Sequence, residues 1–355
     1  MSNAGKVSVS VVVACRNEMQ HIRRFLDSVL FQDLAGISCE FLIADGLSED
    51  GTREVLTQYQ QKCPVIRVME NPGLIVSTGL NLAIRESAGE IVIRMDAHTE
   101  YAPDYIRKSL EVLRETNAEN VGGPVFTRAE GYLAQAIALA YHTWFACGGS
   151  TAHNTQFEGY VGSVAYGCWR KSTLERIGPF DESLCRSQDN ELNRRIIAAG
   201  GKVYQSPKII SWYRPRATLK KLFHQYLQYG FWKAMVTRKD GKVAFFRHLI
   251  PTVSILVGVA LLAGGAGAIL FGSPEWERIF RMVFAVLAAG YLAGSIGAAA
   301  LVARTSGCRF LPVLPIVFAT YHLSYGLGFL LGLTCKPFQL GFPFSLRKTL
   351  TAITR

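Results

Sequence analysis

The sequence predicts an α/β domain built on a parallel sheet, followed by a basic helix and a membrane portion. Three observations carry this. The first 120 or so residues alternate β-branched runs with amphipathic helical stretches. Those runs are apolar at nearly every position, as in strands covered on both faces. Finally, apolar residues crowd into the last third of a 355-residue chain that is 49% hydrophobic and only 18% charged. A soluble enzyme of this length carries more charge.

In order, Val7 to Ala14 is the first strand, and Asn17-Glu18 opens a helix with Ile22, Phe25, Leu26 and Val29 on one side. A second strand, Glu40 to Ala44, ends in Asp45-Gly46, and Ser48 to Gly51 turns into a helix containing Val55, Leu56 and Tyr59. A third strand, Val65 to Met69, leads through Asn71-Pro72 to a helix around Leu80 to Ile84. The fourth, Glu90 to Met95, ends in Asp96-Ala97-His98, and Pro103 starts the next helix. Four strand–helix units imply a parallel sheet wrapped by helices, with ligands bound beyond the carboxyl ends of the strands. From about 120 to 213 the pattern is less regular. Gly122 to Pro124, Val161 to Gly167 and Val203-Tyr204 read as short strands or turns. Lys171–Ile177 and Asp189–Ala199 read as helices, with Gly200-Gly201 as a cap.

Between Arg214 and Arg247 nine residues are Lys or Arg against the single acid Asp240. Leu219, Leu222, Phe223, Tyr226, Leu227, Phe231, Trp232 and Met235 interleave with them at helical spacing. This is a basic amphipathic helix expected to lie among lipid headgroups with its aromatic side towards the lipid. Three apolar stretches follow, Leu249–Phe271, Met282–Ala303 and Phe310–Leu333, each of bilayer-spanning length. The expected domains are therefore 1–213 (α/β), 214–247 (basic interfacial helix), 248–335 (membrane) and 336–355 (basic tail). Lys/Arg bias places the basic domain in the cytoplasm, at the inner membrane. Three full crossings would export Lys336, Arg347, Lys348 and Arg355, so either the bias fails there or the third segment does not span.

Composition also excludes. The net charge of +11, gathered ahead of the apolar third, points to membrane lipid or phosphate-bearing ligands and not to nucleic acid. Eight scattered cysteines show no metal spacing and read as buried thiols of a reducing compartment. Residues 1–6 read as a polar leader, not a signal peptide. Ala14 to Glu18 lacks the glycine-rich turn of a dinucleotide site, which removes an oxidoreductase. A transporter would need more apolar segments and paired acids.

Asp45 closes the second strand, and Asp96 and His98 close the fourth. Residues two apart on an extended segment point the same way, so Asp96 and His98 address one ligand. A carboxylate with an imidazole suits a divalent cation, Mn²⁺ or Mg²⁺, that also takes phosphate oxygens. A DAH triplet alone reads better as an ordinary, satisfied loop histidine. Ser187 reads as a helix cap that places Asp189 in the first turn, where the dipole favours its ionised form and a proton-accepting role. Glu191 and Arg195, four apart, read as a helix salt bridge.

The runs VSVVVACRNE, ADGLSEDGT, IVIRMDAHTEY and QDNELNRR, in this order, resemble the inverting family 2 glycosyltransferases with the GT-A fold. The DAH triplet, GYVGSVAYGCWRKSTLERIGPFDESL and the terminal YHLSYGLGFLLG are similar to the ExoA-like branch that serves succinoglycan-type exopolysaccharide synthesis. The resemblance covers almost the whole chain. It implies a nucleotide-diphosphate sugar donor (a UDP-sugar), a lipid-linked saccharide acceptor, and a divalent cation. Asp45 would contact the donor's base or ribose, with Glu18 and the backbone near Ala14. Asp96 would sit by ribose and metal. His98 stands where most members carry a second acid and would be a metal ligand. Asp189 matches the catalytic base, with Gln188 in place of the usual acid before it, and Asp181 matches an acceptor-side position. Trp232 would stack on a sugar ring or anchor in lipid. The alternatives are a polyprenyl-phosphate sugar transferase and a non-catalytic membrane scaffold.

Overall fold

A computed structural model describes residues 7–240 and 246–334. The expected leader (1–6) and basic tail (336–355) lie outside the described residues. The chain divides into two units, one holding Met1–Arg128 and Ser150–Arg214, the other Ala129–Gly149 and Pro215–Thr351. The sequence reading kept 1–213 in one domain. The structure instead assigns 129–149 to the second unit.

In the first unit the elements before residue 128 are β1 (Val7–Cys15), α1 (Ile22–Leu30), β2 (Ile37–Asp45), α2 (Thr52–Lys62), β3 (Ile66–Glu70), α3 (Val76–Arg85), β4 (Ile91–Asp96), β5 (Thr99–Tyr101), α4 (Tyr105–Thr116), β6 (Asn120–Gly122) and β7 (Val125–Thr127). The chain then contributes α5 (Tyr132–Tyr141) and α6 (Trp144–Cys147) to the second unit. It returns with β8 (Gly159–Tyr160), β9 (Cys168–Arg170), α7 (Lys171–Ile177), α8 (Gln188–Ala198), β10 (Val203–Gln205) and β11 (Ser211–Tyr213).

The main sheet runs β3-β2-β1-β4-β9-β6-β10-β8. Its first four strands are parallel, as expected. The sheet as a whole is mixed, because β9 enters antiparallel to both β4 and β6. An antiparallel insertion needs no crossover helix, so three residues suffice to join the two halves. A second sheet, β5-β11-β7, was not legible as strands. Both faces of the main sheet are covered. Val9, Val11 and Val13 pack with Phe25, Leu26 and Ile43 on one side, and Val12, Leu42 and Val92 with Leu80, Leu192 and Ile196 on the other. This two-sided burial is why the strands read as unbroken apolar runs.

The helix expected from Asn17 begins only at Ile22. The amides that would start it bond sideways into the β2–α2 loop: Asn17 N donates to Ser48 Oγ (2.8 Å), Glu18 N to Thr52 Oγ1 (2.8 Å) and Met19 N to Asp50 Oδ2 (3.1 Å). Asn17 itself has φ +54°, a conformation Asn tolerates better than most residues. The loops ending β1 and β2 thereby form one braced rim.

The second unit contains α5, α6, α9 (Leu219–Asp240), α10 (Ile250–Leu270), α11 (Pro274–Ser306) and α12 (Leu314–Thr334). The last three are long and apolar enough to cross a membrane. Helix α9 corrects the sequence reading. Its Leu222, Leu227, Phe231, Trp232, Ala234 and Val236 are buried, and α12 lies along it. Glycines set this seam. A Cβ on Gly328 would stand 2.0 Å from Leu227 O, and one on Gly230 2.1 Å from Tyr325 O. Small residues let helix backbones approach in this way. Trp232 is fully buried with its ring edge-on to Phe231 (5.5 Å), so it neither faces lipid nor offers a platform to a sugar.

Candidate active site

The site forms where β1, β2 and β4 end. Asp45 is buried at the tip of β2 and accepts from Ser48 N (3.1 Å) and Ser48 Oγ (2.5 Å). Beside it, Ala14 on β1 is nearly closed off because α3 approaches through Gly79, whose added Cβ would stand 2.9 Å from that of Ala14.

The strand β4 supplies the centre. Arg94 and Asp96 share one side of β4, while His98 stands in the turn that follows and not on an extended segment as expected; the structure nonetheless joins the three. Arg94, 3% exposed, donates from Nη2 to Asp96 Oδ1 (3.0 Å) and from Nη1 to Asp189 Oδ1. His98 Nε2 lies 3.7 Å from Asp96 Oδ2, while His98 Nδ1 faces Glu18 Oε1 at 3.2 Å. A chain of ionisable groups thus runs Glu18–His98–Asp96–Arg94–Asp189. The turn beneath it is stiffened by an aromatic block. Asp96 N donates to Tyr101 Oη (2.7 Å), and Thr99 Oγ1 and Tyr166 Oη are 2.8 Å apart.

Asp189 occupies the first turn of α8, as its sequence context indicated. Ser187 stands at the cap position but makes no side-chain cap bond. Its φ of +63° turns the chain instead. Helix α8 is fixed from both ends. Asn193 accepts from Asn120 Nδ2 on β6 (2.6 Å), and Arg195 pairs with Glu191 (2.7 Å) while donating to the carbonyls of Ile177, Gly178 and Pro179. That confirms the Glu191–Arg195 bridge and gives it a second task, tethering the loop before Asp181. The same loop is strapped to α3, where Asn81 exchanges bonds with Phe180 N and O (both 2.9 Å) and Ser77 Oγ donates to Leu184 O. Asp181 accepts from Ser183 N and Oγ and shapes that loop. Gln188 is buried next to Asp189.

Burial pushes the Asp189 carboxyl up to about 6. The Arg94 guanidinium pulls it back, and the Asp96 charge raises it further. Its side chain is 23% exposed, and among the described residues the bond it accepts falls on Oδ1, which leaves Oδ2 as the oxygen to take a proton. At neutral pH such a group is ionised yet basic enough to take a proton. Arg94 is held charged by the same two carboxylates.

A divalent cation fits this site in one respect. Asp96 Oδ2 and His98 Nε2 present an oxygen and a nitrogen on one side, and Glu18 fixes the imidazole as outer partners of metal-binding histidines do. No group of three His, Cys, Asp or Glu side chains able to hold a metal occurs among the described residues. Among the described residues Asp96 and His98 are the two donors presented, and the remaining positions would belong to ligand oxygens and water. Glu18, expected at the donor, is occupied with His98.

Sequence reasoning missed Arg94. Its signal was available: an arginine inside a strand buried on both faces requires a carboxylate partner, and Asp96 lies two residues on.

Residues 10–177 match the model of Glycosyl transferase family 2. The chain carries a family 2 glycosyltransferase domain. The match spans β1 to α7, so the transferase's Asp45, Arg94, Asp96 and His98 lie inside it and Asp189 just beyond. The transferase is 29% identical over 326 residues to the succinoglycan biosynthesis protein ExoA of Rhizobium meliloti, covering 90% of this chain and 93% of the relative. It is 28% identical to a dolichyl N-acetyl-α-D-glucosaminyl phosphate 3-β-D-2,3-diacetamido-2,3-dideoxy-β-D-glucuronosyltransferase of Methanococcus voltae, covering 65% of this chain and 74% of that one. Among solved structures, a mannosyltransferase from Pyrobaculum calidifontis in complex with GDP-Man and Mn²⁺ shares the fold. It has a TM-score of 0.56 and 19% identity, and the match covers 93% of this chain and 88% of the other. The α/β unit therefore has the GT-A fold, and the chain is a glycosyltransferase.

Proposed function

We propose that this enzyme moves a sugar from a nucleotide-diphosphate donor, a UDP-sugar, to a lipid-linked saccharide in exopolysaccharide or other surface polysaccharide synthesis. Transfer inverts the anomeric centre and takes place at the cytoplasmic face of the inner membrane. The observation that carries the reading is the Asp96–Arg94–Asp189 bridge, which sets a proton acceptor one guanidinium away from the carboxylate at the sheet's end. Similarity to a succinoglycan biosynthesis protein along nearly its whole length supports the polysaccharide context.

The chemistry follows from these groups. Asp189 Oδ2 takes the proton of the acceptor hydroxyl. The hydroxyl oxygen bonds to the anomeric carbon on the face opposite the diphosphate. The bond from that carbon to the diphosphate oxygen breaks, and its electron pair leaves with the nucleotide diphosphate. Asp45 and the backbone near Ala14 hold the nucleoside at the braced rim. Asp96 and His98 would hold a divalent cation, Mn²⁺ or Mg²⁺, which when bound neutralises charge on the departing diphosphate. Arg94 keeps Asp189 ionised and aimed. No protein nucleophile is needed. The acceptor-side assignments rest on Asp181 and Gln188 in the loop and helix around Asp189. A lipid phosphate as acceptor is the second reading, supported by the membrane helices alone.

The test is transfer by membranes containing the full chain, across UDP-, GDP- and dTDP-sugars, with Mn²⁺, Mg²⁺ or chelator and a lipid extract as acceptor. Turnover of one donor that chelator abolishes and that yields a lipid-linked product of inverted configuration is expected. Retained configuration, or no turnover by folded protein, would reject the proposal.

A further inference from the structure

The second unit contains four long helices, and their registers settle how each runs. Leu222 of α9 clusters with Leu314, Val317 and Phe318 at the start of α12. Tyr226 packs on Tyr321 (centroids 4.3 Å), Leu227 on Gly328, and Phe231 and Ala234 on Gly332. At the far end, Arg238 Nη1 donates to Gly332 O (3.2 Å). The residue numbers rise together, so α9 and α12 are parallel neighbours over most of their length. Helix α11 runs against α12: Tyr291 Oη meets His322 Nδ1 (2.9 Å), while Ala299 belongs to the cluster at the start of α12. Helices α10 and α11 form a hairpin, with Gly264 against the Phe280 ring.

Helices α9 and α10 therefore point the same way, although they are consecutive in the chain. Two such helices cannot both cross a bilayer unless the short 241–249 linker, which includes Lys242 and Arg247, crosses back. Helix α9 is the one that stays out, because Lys220, Lys221, His224, Lys233, Arg238 and Lys239 lie along it. What lies beside α9 along its length shares its depth. The meeting of α10 with α12 agrees. Thr252 Oγ1 donates to Gly326 O (3.2 Å), and Pro251 and Ile255 cover the same glycine, so α10 begins level with the second half of α12. At ~1.5 Å per residue, the stretch from Gly326 to Thr334 rises at most ~12 Å past that level. The hydrocarbon core is ~30 Å thick.

We propose that α12 does not cross the membrane, and that α9 and α12 form a paired platform seated in the lipid leaflet on the side where α10 enters. Its partner is that leaflet. Ile316, Leu323, Leu327 and Leu333 expose apolar surface from α12 to the acyl chains, and Lys220, Lys221, Arg238 and Lys239 expose charge from α9 to acidic headgroups. Helix α12 then ends on the side of Arg304 and Arg309, and the export of Lys336, Arg347, Lys348 and Arg355 that three full crossings would require is no longer called for.

The inference rests on α10 and α11 crossing the membrane and is independent of the transfer chemistry. It is tested in the full chain, carrying a C-terminal epitope and a protease site inserted after Gly272, in sealed vesicles of both orientations. The expected result is that protease removes the epitope in inside-out vesicles and cuts after Gly272 only in right-side-out ones. An epitope cut together with the Gly272 site in right-side-out vesicles overturns the proposal, as does any result placing both on one side. Spin labels at Leu323→Cys and Val259→Cys, in a Cys308→Ser background, supply an independent depth. Leu323→Cys should lie shallower than Val259→Cys, with a higher ratio of polar-nickel to oxygen accessibility. Equal, deep burial of both labels overturns the proposal.

Discussion

The strand-end site and the α9–α12 seam are built from opposite materials. At the site, five ionisable side chains from β4, α8 and the rim loops are linked end to end, and each is oriented by its neighbour. At the seam, the fit comes from Gly230, Gly328 and Gly332, where side chains are absent and the helix backbones come close. The difference teaches where each region is vulnerable. Removing a charge from the site leaves the fold and disables the chemistry. Adding carbon to the seam leaves the chemistry intact and parts the helices.

The largest expected effect is that of Asp189→Asn. It should lower kcat by ~10²–10⁴, the range of a lost general base, with donor affinity by titration unchanged. Loss of donor binding instead would show that Asp189 belongs to the donor site. Next comes Arg94→Gln. Asp189 titrates near 6, so wild-type kcat should hold above that pH and decline as pH falls through it. Without the guanidinium, the carboxyl is left with burial and the Asp96 charge, both of which raise it. The acid limb of the kcat profile should therefore move to higher pH, with Arg94→Lys restoring part of the shift. An unmoved limb would make Arg94 purely structural. A ~10–100-fold rise in the Mn²⁺ concentration giving half-maximal donor binding is expected for His98→Ala, and a smaller rise for Glu18→Gln, as for the partner of a metal-binding histidine. An unchanged metal response would remove the pair from the metal site. Smallest in catalytic terms is Gly328→Leu. Overpacking of this kind costs about 1–3 kcal/mol or more, read as a lower unfolding temperature of the detergent-solubilised protein, while donor affinity of the surviving fold stays as in wild type. A fall in donor affinity would break the contrast.

Much of the α/β unit was legible because its signals are local. Unbroken apolar runs marked β1 to β4, and Asp45 and Asp96 sat where such runs ended. What escaped depends on partners distant in sequence. Strand β9 is three residues long and is recognisable only by the strands it joins. Helix α1 is shortened by Ser48, Asp50 and Thr52, some thirty residues away. On α9, periodicity identified the apolar face correctly but could not say whether lipid or α12 would cover it, since both select the same residues. Trp232 was misjudged for that reason. Arg94 was a failure of attention to a signal that was present.

The excursion through residues 129–149 has a practical consequence. The catalytic unit is discontinuous in sequence, so a soluble fragment cannot be obtained by ending the chain after Tyr213. Such a fragment would keep Tyr132–Tyr141, whose Ala136, Ile137 and Ala140 are buried in the helical unit, and would present them to water. Excising 129–149 and joining Arg128 to Ser150 by a short polar loop is the route to a soluble transferase domain.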